Sequence, residues 1–303
     1  MNVEGISEDL PVANVHGIYP LIDPNSVYAS QAFKNKVVFL TGVNTGNLGH
    51  QIALTYAKAG AKVAIGSRRP EAGDAVKQDI LKDDPSISGE DILPVVLDVV
   101  DSNQVKEAAE KVVEAWGRLD VVLAVAGKAQ SWEESLSETD PNEWWDVVEV
   151  NIRGVYNVAR YTLPHLTSSK GYFVAFTSMS SQLRIPNASS YGVSKHAVTR
   201  LVEFIQIEHP AVHTFAFHPG SFKTPLALKA MKNQPPDVAA AMEAYMNDSM
   251  ELPACTLLYL TEGRANWLLG RYVSANWDLG EVEAKFKDSI IEKKALVSRL
   301  SLP

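Results

Sequence analysis

Tyr191 and Lys195 stand four residues apart in Tyr191-Gly-Val-Ser-Lys195. The periodic stretch Ser190–Glu208 predicts a helix, which places both side chains on one face. An ammonium beside a phenol favours the phenolate and draws a tyrosine pKa down from about 10, so such a pair can move a proton. Ser178 lies thirteen residues before the tyrosine, at the end of a predicted strand, Tyr172–Thr177. Its hydroxyl can donate to a carbonyl oxygen. A Tyr-x-x-x-Lys pair alone is a common feature of solvated helices; its weight here comes from its company.

The company is a nucleotide signature. Thr41-Gly-Val-Asn-Thr-Gly-Asn-Leu-Gly49 follows the apolar run Lys36–Leu40 and precedes helical spacing over Gly49–Ala59. Glycines between strand and helix let backbone N–H groups approach a pyrophosphate at the helix N-terminus. Gly42, Asn44, Gly46, Asn47, Leu48 and Gly49 are therefore candidate cofactor residues. The second strand, Lys62–Ile65, runs into Gly66-Ser67-Arg68-Arg69. In a dinucleotide fold this point meets the adenosine ribose, where an acid holds a 2′-hydroxyl and an arginine accommodates a 2′-phosphate. Ser67 and Arg68 thus predict NADP(H), and no acid occurs before Glu71.

These residues need a scaffold, and the chain supplies a regular one. Further strands are predicted at Ile92–Val99, Asp120–Ala126, Val212–Phe217 and Arg271–Ser274, and helices at Pro70–Leu81, Asn103–Trp116 and Pro141–Leu166. Alternation of this kind predicts an α/β fold with a doubly wound, Rossmann-like parallel sheet in a single domain, 36–279. Residues 1–35, with Pro11, Pro20 and Pro24, read as an extension, and 280–303 as an amphipathic helical tail. Segment 224–253 breaks the alternation. With Met231, Pro235, Pro236, Met242 and Met246 it reads as a flexible apolar lid over a lipophilic small molecule.

Composition excludes several classes. The net charge of −8 and the lack of a basic run argue against nucleic acid. One cysteine, Cys255, forbids an intrachain disulfide. Met1–Leu10 does not resemble a targeting peptide, and no run of about 18 apolar residues exists to span a membrane. A cytoplasmic protein is the expectation. His209, His213 and His218 lack the acid or thiol partners of a metal site, so none is expected. Trp116, Trp144, Trp145 and Phe204 read as core or interface.

Taken together, the glycine motif, Ser178, Tyr191-Gly-Val-Ser-Lys195 and Pro219-Gly-Ser-Phe-Lys-Thr224 make the chain resemble the short-chain dehydrogenase/reductase family, from about Phe33 to Leu279. The resemblance implies that Asn151, in the long helix Pro141–Leu166, joins Ser178, Tyr191 and Lys195 in a catalytic tetrad. It implies that Asp98-Val99 border the adenine and that Phe222 and Thr224, beyond Pro219 and Gly220, hold the nicotinamide carboxamide. Ala126 and Gly127 would let the cofactor approach closely. Two departures are visible. The glycine loop is one residue longer than Gly-x-x-x-Gly-x-Gly, with Asn47 near the middle glycine, where tolerance of the left-handed region would help. The family's Asn-Asn-Ala-Gly reads Ala124-Val-Ala-Gly127, without the two amides.

The activity implied is that of an NADP(H)-dependent ketoreductase-like oxidoreductase acting between a carbonyl and an alcohol. Two rivals are a non-catalytic NADP(H)-binding sensor or scaffold and an NAD-dependent alcohol dehydrogenase. The resemblance also implies a homodimer or tetramer paired through Pro141–Leu166 and Ser190–Glu208. Val147, Val155, Val158, Val198, Leu201 and Phe204 would be available to the partner, and the two extensions would block larger assembly.

Overall fold

Seven short runs become seven parallel strands: β1 Val37–Thr41, β2 Lys62–Ser67, β3 Ile92–Val96, β4 Val121–Ala124, β5 Tyr172–Phe176, β6 His213–His218 and β7 Arg271–Ser274. The computed structural model describes Gly5, residues 9–232, Gln234 and residues 236–300. The strands lie in the order β3-β2-β1-β4-β5-β6-β7. Winding reverses between β1 and β4, which opens a crevice at their carboxyl ends. Register places Leu40 opposite Ile65 on one side and Leu123 on the other.

The helices, in chain order, are α1 Asn25–Ser30, α2 Leu48–Lys58, α3 Pro70–Asp83, α4 Ser102–Trp116, α5 Pro141–Val148, α6 Gly154–Ser169, α7 Ser189–Glu208, α8 Pro225–Met231, α9 Pro236–Ala244, α10 Glu251–Tyr259 and α11 Leu279–Glu292. Side chains alternate across each strand, and this builds two cores. Val38, Leu40, Val174 and Phe217 pack with Ile52, Tyr56 and Leu257 of α2 and α10. Val37, Phe39, Val122 and Ala216 pack with Val105, Val158 and Val198 of α4, α6 and α7.

The structure corrects several sequence expectations. The predicted helix Pro141–Leu166 is interrupted by a π-helical turn, Glu149–Arg153, between α5 and α6. The predicted strands Ile92–Val99 and Asp120–Ala126 stop at Val96 and Ala124. The residues beyond them bend over the crevice. Val147, Val155, Val158 and Val198 are buried in this chain's own core and offer nothing to a partner. Leu201 is half-buried, and the exposed apolar residues on α6 and α7 are Tyr156, Val193, Phe204 and Ile207.

The extensions are integral. Ile22, Val27 and Phe33 enter the core, where burial outweighs the local effect of the prolines. Asn14 bridges antiparallel to Trp277. At the other end, the Tyr272 N–H donates to Leu296 O at 3.0 Å, so the tail covers the edge of β7. Within 224–253 the described residues form α8 and α9, whereas Leu252 and Pro253 lie buried in α10. Pro235, included in the expected lid, lies outside the described residues. Among the described residues no helix is long and apolar enough to cross a membrane, and no group of side chains could hold a metal ion.

Candidate active site

A cleft of about 1740 Å³ follows the carboxyl ends of the strands, and every residue expected to bind the cofactor lines it. The glycine loop forms its first wall. Gly42 has φ +75°, and a Cβ there would stand 2.6 Å from Ala126 Cα, so only glycine lets the two backbones touch. Gly46 has φ +70° and open space where a Cβ would project.

The extra residue is absorbed by Asn47. It does not adopt the left-handed region; with φ −94° it is the N-cap of α2. Its Oδ1 accepts from the Asn44 and His50 N–H groups, and its Nδ2 donates to Gly42 O at 2.9 Å. The loop therefore closes on a side chain, and the N-terminus of α2 faces the cleft with Leu48 and Gly49 in its first turn. At the far end, buried Ser67 donates to Arg69 O at 2.8 Å. Arg68 is exposed at the cleft rim and forms no ion pair among the described residues. Asp98 Oδ1 accepts from Val100 N–H at 3.0 Å, which turns the chain after β3.

At the opposite end, Ser178, Tyr191 and Lys195 converge. Ser178 follows β5 in extended backbone; its Oγ accepts from Ser180 N–H at 3.1 Å, and it lines the cleft together with Tyr191. Lys195 lies one turn on along α7, its Nζ 5.7 Å from the Tyr191 ring centre and 2.7 Å from Phe176 O, to which it donates. Burial pushes Lys195 down to about 8. Burial also raises the Tyr191 pKa, against the pull of Ser178. The direction is opposite to the expectation from spacing alone, because desolvation of the phenolate outweighs the hydrogen bond that favours it.

Asn151 does not line the cleft. It is fully buried in the π-helical turn and clamps the Lys128 peptide, accepting from Lys128 N–H and donating to Lys128 O, both at 2.9 Å. Its Nδ2 also donates to Ser194 Oγ. A Cβ at Gly127 would stand 3.4 Å from both Asn151 Oδ1 and Lys195 Nζ, so the two groups border the space that a side chain there would fill. At the lid side, Thr224 Oγ1 caps α8 by accepting from Ala227 N–H, and Gly220 adopts φ +98°.

Residues 36–235 match the family model described as short chain dehydrogenase. The chain belongs to the short-chain dehydrogenase family. It is 38% identical over 274 residues to short chain dehydrogenase citE of Monascus ruber, covering 88% of this chain and 89% of that one. With short chain dehydrogenase pigC of the same species it shares 34% over 295 residues, 96% of this chain and 93% of the relative. A short-chain dehydrogenase/reductase of Caenorhabditis elegans, crystallised with cofactor, superposes with TM-score 0.71 at 21% identity, over 80% of this chain and 94% of that one. The KRED1-Pglu enzyme gives 0.68 at 26%, over 78% and 100%.

In this short-chain dehydrogenase the missing amides of the Ala124–Gly127 stretch have a modest substitute: Ala126 N–H donates to Thr41 Oγ1 at 3.4 Å. The structure also adds cleft residues that carried no motif. Trp132 lies with its ring centre 6.3 Å from that of Tyr191, and its carbonyl accepts from Gln234 Nε2 at 2.6 Å, across the cleft mouth. Leu183, Ile185, Met242, Tyr245 and Met246 complete an apolar upper wall. Met242 and Met246 were among the residues expected over the cleft, and both line it. Trp132, Leu183 and Ile185 sit in loops without periodicity, and only folding brings them to Tyr191.

Proposed function

We propose that this chain is an NADP(H)-dependent oxidoreductase that interconverts a carbonyl and an alcohol on a small lipophilic molecule, with Tyr191 as general acid and base. The observation that carries the reading is one continuous cleft with Arg68 at one end and Ser178, Tyr191 and Lys195 at the other. The residues present fit a dinucleotide: Gly46 leaves open space beside the helix N-terminus of α2, where a pyrophosphate is favoured. Ser67, Arg68, Asp98 and Val99 would hold the adenosine end. Ala126, Gly127, Pro219, Gly220, Phe222 and Thr224 would hold the nicotinamide end.

The bound nicotinamide would supply or accept a hydride. The chain's own groups do the rest. Ser178 and Tyr191 hold the substrate oxygen by hydrogen bonds. Tyr191 donates its proton to that oxygen in reduction and takes it back in oxidation. Lys195 orients the ribose and replenishes the Tyr191 proton, and Asn151 holds the Lys128 peptide beside that path. The apolar wall of Trp132, Leu183 and Met242 excludes water and selects a lipophilic body.

Cofactor preference tests the reading directly. Arg68 offers charge-assisted bonds to a 2′-phosphate, and Ser67 presents no repelling acid. NADPH should bind tighter than NADH by about 10-fold, the low end for a bond to a charged group, because Arg68 is exposed and screened. Thr45, uncharged where a second base would help, keeps the preference moderate. Fluorescence titration of Arg68→Ala should show most of the NADPH advantage gone and NADH binding little changed. Tighter NADH binding by the parent protein would overturn the cofactor assignment.

The assembly that accompanies this reading is a homodimer through α6 and α7, supported by exposed Tyr156, Val193, Phe204 and Ile207. Light scattering at micromolar concentration should give twice the chain mass, and Phe204→Glu should return a monomer. A parent protein that scatters as a monomer would remove this proposal.

A further inference from the structure

We propose that His16, on the N-terminal arm, is a positioning residue that acts through Asp248: together they latch the base of the segment over the cleft and hold the Pro219–Thr224 loop against it. That this loop is the nicotinamide loop rests on the function proposed above.

Ser221 and Asp248 are the two stems of the cleft-covering segment, 27 residues apart in sequence. They are tied reciprocally: Ser221 N–H donates to Asp248 Oδ2 at 2.6 Å, and Asp248 N–H to Ser221 O at 3.3 Å. The other carboxylate oxygen, Oδ1, accepts from Asn276 Nδ2 at 2.9 Å and pairs with His16 Nδ1 at 2.6 Å. A carboxylate has no proton to give, so Nδ1 of His16 is the donor. The arm backbone reinforces the contact, because Ser249 N–H donates to His16 O at 2.8 Å and Val15 N–H to Asn276 O at 2.8 Å. A Cβ on Gly220 would lie 2.6 Å from Asp248 Oδ2. The loop is thus moulded around the carboxylate, and glycine, at φ +98°, is what allows it.

Burial makes each donor to Asp248 matter. The Asp248 side chain is 2% exposed and that of His16 43%. A buried carboxylate requires a counter-charge or full hydrogen bonding. Among the described residues no lysine or arginine pairs with Asp248. His218, buried nearby, is pushed down to about 4 by desolvation and stays neutral. Asp248 is met by hydrogen bonds instead: Ser221 N–H, Asn276 Nδ2 and His16 Nδ1 all donate to its carboxylate, and of these three only His16 comes from the arm. Both His16 and Asp248 lie outside the stretch 36–235 that matches the family model.

The test is amide hydrogen exchange on the full chain without cofactor, followed by NADPH kinetics. In His16→Ala the amides of Ser221 and Asp248 should exchange about 10- to 100-fold faster, the loss of one bond to a charged group. Amides of β1 and α2 should keep their rates. The KM for NADPH should rise about 10-fold while kcat falls less. His16→Asn, whose Nδ2 can reach the same oxygen, should restore both readouts. Parent-like exchange in His16→Ala, a uniform rise that includes β1 and α2, or His16→Asn behaving as His16→Ala would each overturn the latch. Exchange is read without ligand, so a parent protein that never oxidises NADPH would sink the oxidoreductase reading and leave the latch to stand or fall by its own measurement.

Discussion

Tyr191→Phe is expected to lower turnover by about 10²- to 10⁴-fold, the range for loss of a positioned acid or base, with NADPH affinity nearly intact. The substitution removes one oxygen and leaves the ring, whose neighbours Trp132 and Lys195 then keep their places. Nothing else on the cleft floor replaces the proton donor. Ser178, proposed to hold the substrate oxygen, is too weak an acid, and Lys195 donates to Phe176 O. A stopped-flow comparison with a carbonyl panel, beside a fluorescence titration of NADPH, separates chemistry from binding. Retention of most of the turnover would remove Tyr191 from the reaction.

The same residue sets a pH dependence. Burial raises the Tyr191 pKa above its ordinary value near 10, so the phenol is protonated throughout the neutral range. Reduction needs the phenol and should hold a plateau from neutral pH upward until the phenol titrates. Oxidation needs the phenolate and should climb with pH across the same range. An oxidation rate that falls from neutral to alkaline pH, in protein that stays folded, would contradict this assignment.

Ser178→Ala should cost about 10²- to 10³-fold in turnover, less than Tyr191→Phe, because one of two donors to the substrate oxygen remains. A second effect follows from the geometry. Ser178 Oγ accepts from the Ser180 N–H in a buried turn, and alanine leaves that donor unpaired. The cost is about 1–3 kcal/mol of stability, read as a lower denaturant midpoint. Ser178→Thr keeps the hydroxyl and should recover stability more fully than rate, since its methyl group crowds the cleft. An unchanged rate in Ser178→Ala would reduce Ser178 to a turn residue.

Legibility differed by element. The strands were readable because a parallel sheet buried on both faces demands short apolar runs, and Val37–Thr41 and Val121–Ala124 supply them. The break in Pro141–Leu166 was not readable. Neither glycine nor proline lies within the π-helical turn, and Gly154 just after it is helical, while Asn151 in the turn reaches the Lys128 peptide 23 residues away. The partner face was misread for a related reason. Helical periodicity shows that Val147, Val155, Val158 and Val198 share apolar stripes, yet whether a stripe meets its own sheet or a second copy depends on helix rotation against the sheet. The arm was read as loop from its prolines, although Ile22, Val27 and Phe33 carry it into the core.

What the sequence determined by itself was the order of strands and helices, the glycine turn between β1 and α2, and the candidate residues, since these rest on local spacing and on backbone rules that act over a few residues. Tertiary structure decided where those residues meet. It brought Asn151 and Lys195 to either side of Gly127 and set Trp132 beside Tyr191. It placed His16 on Asp248, 232 residues away. It also reversed the expected direction of the Tyr191 pKa. The reason is common to all four: distance in space and loss of water are properties of packed surfaces, and the spacing of residues along a chain carries neither.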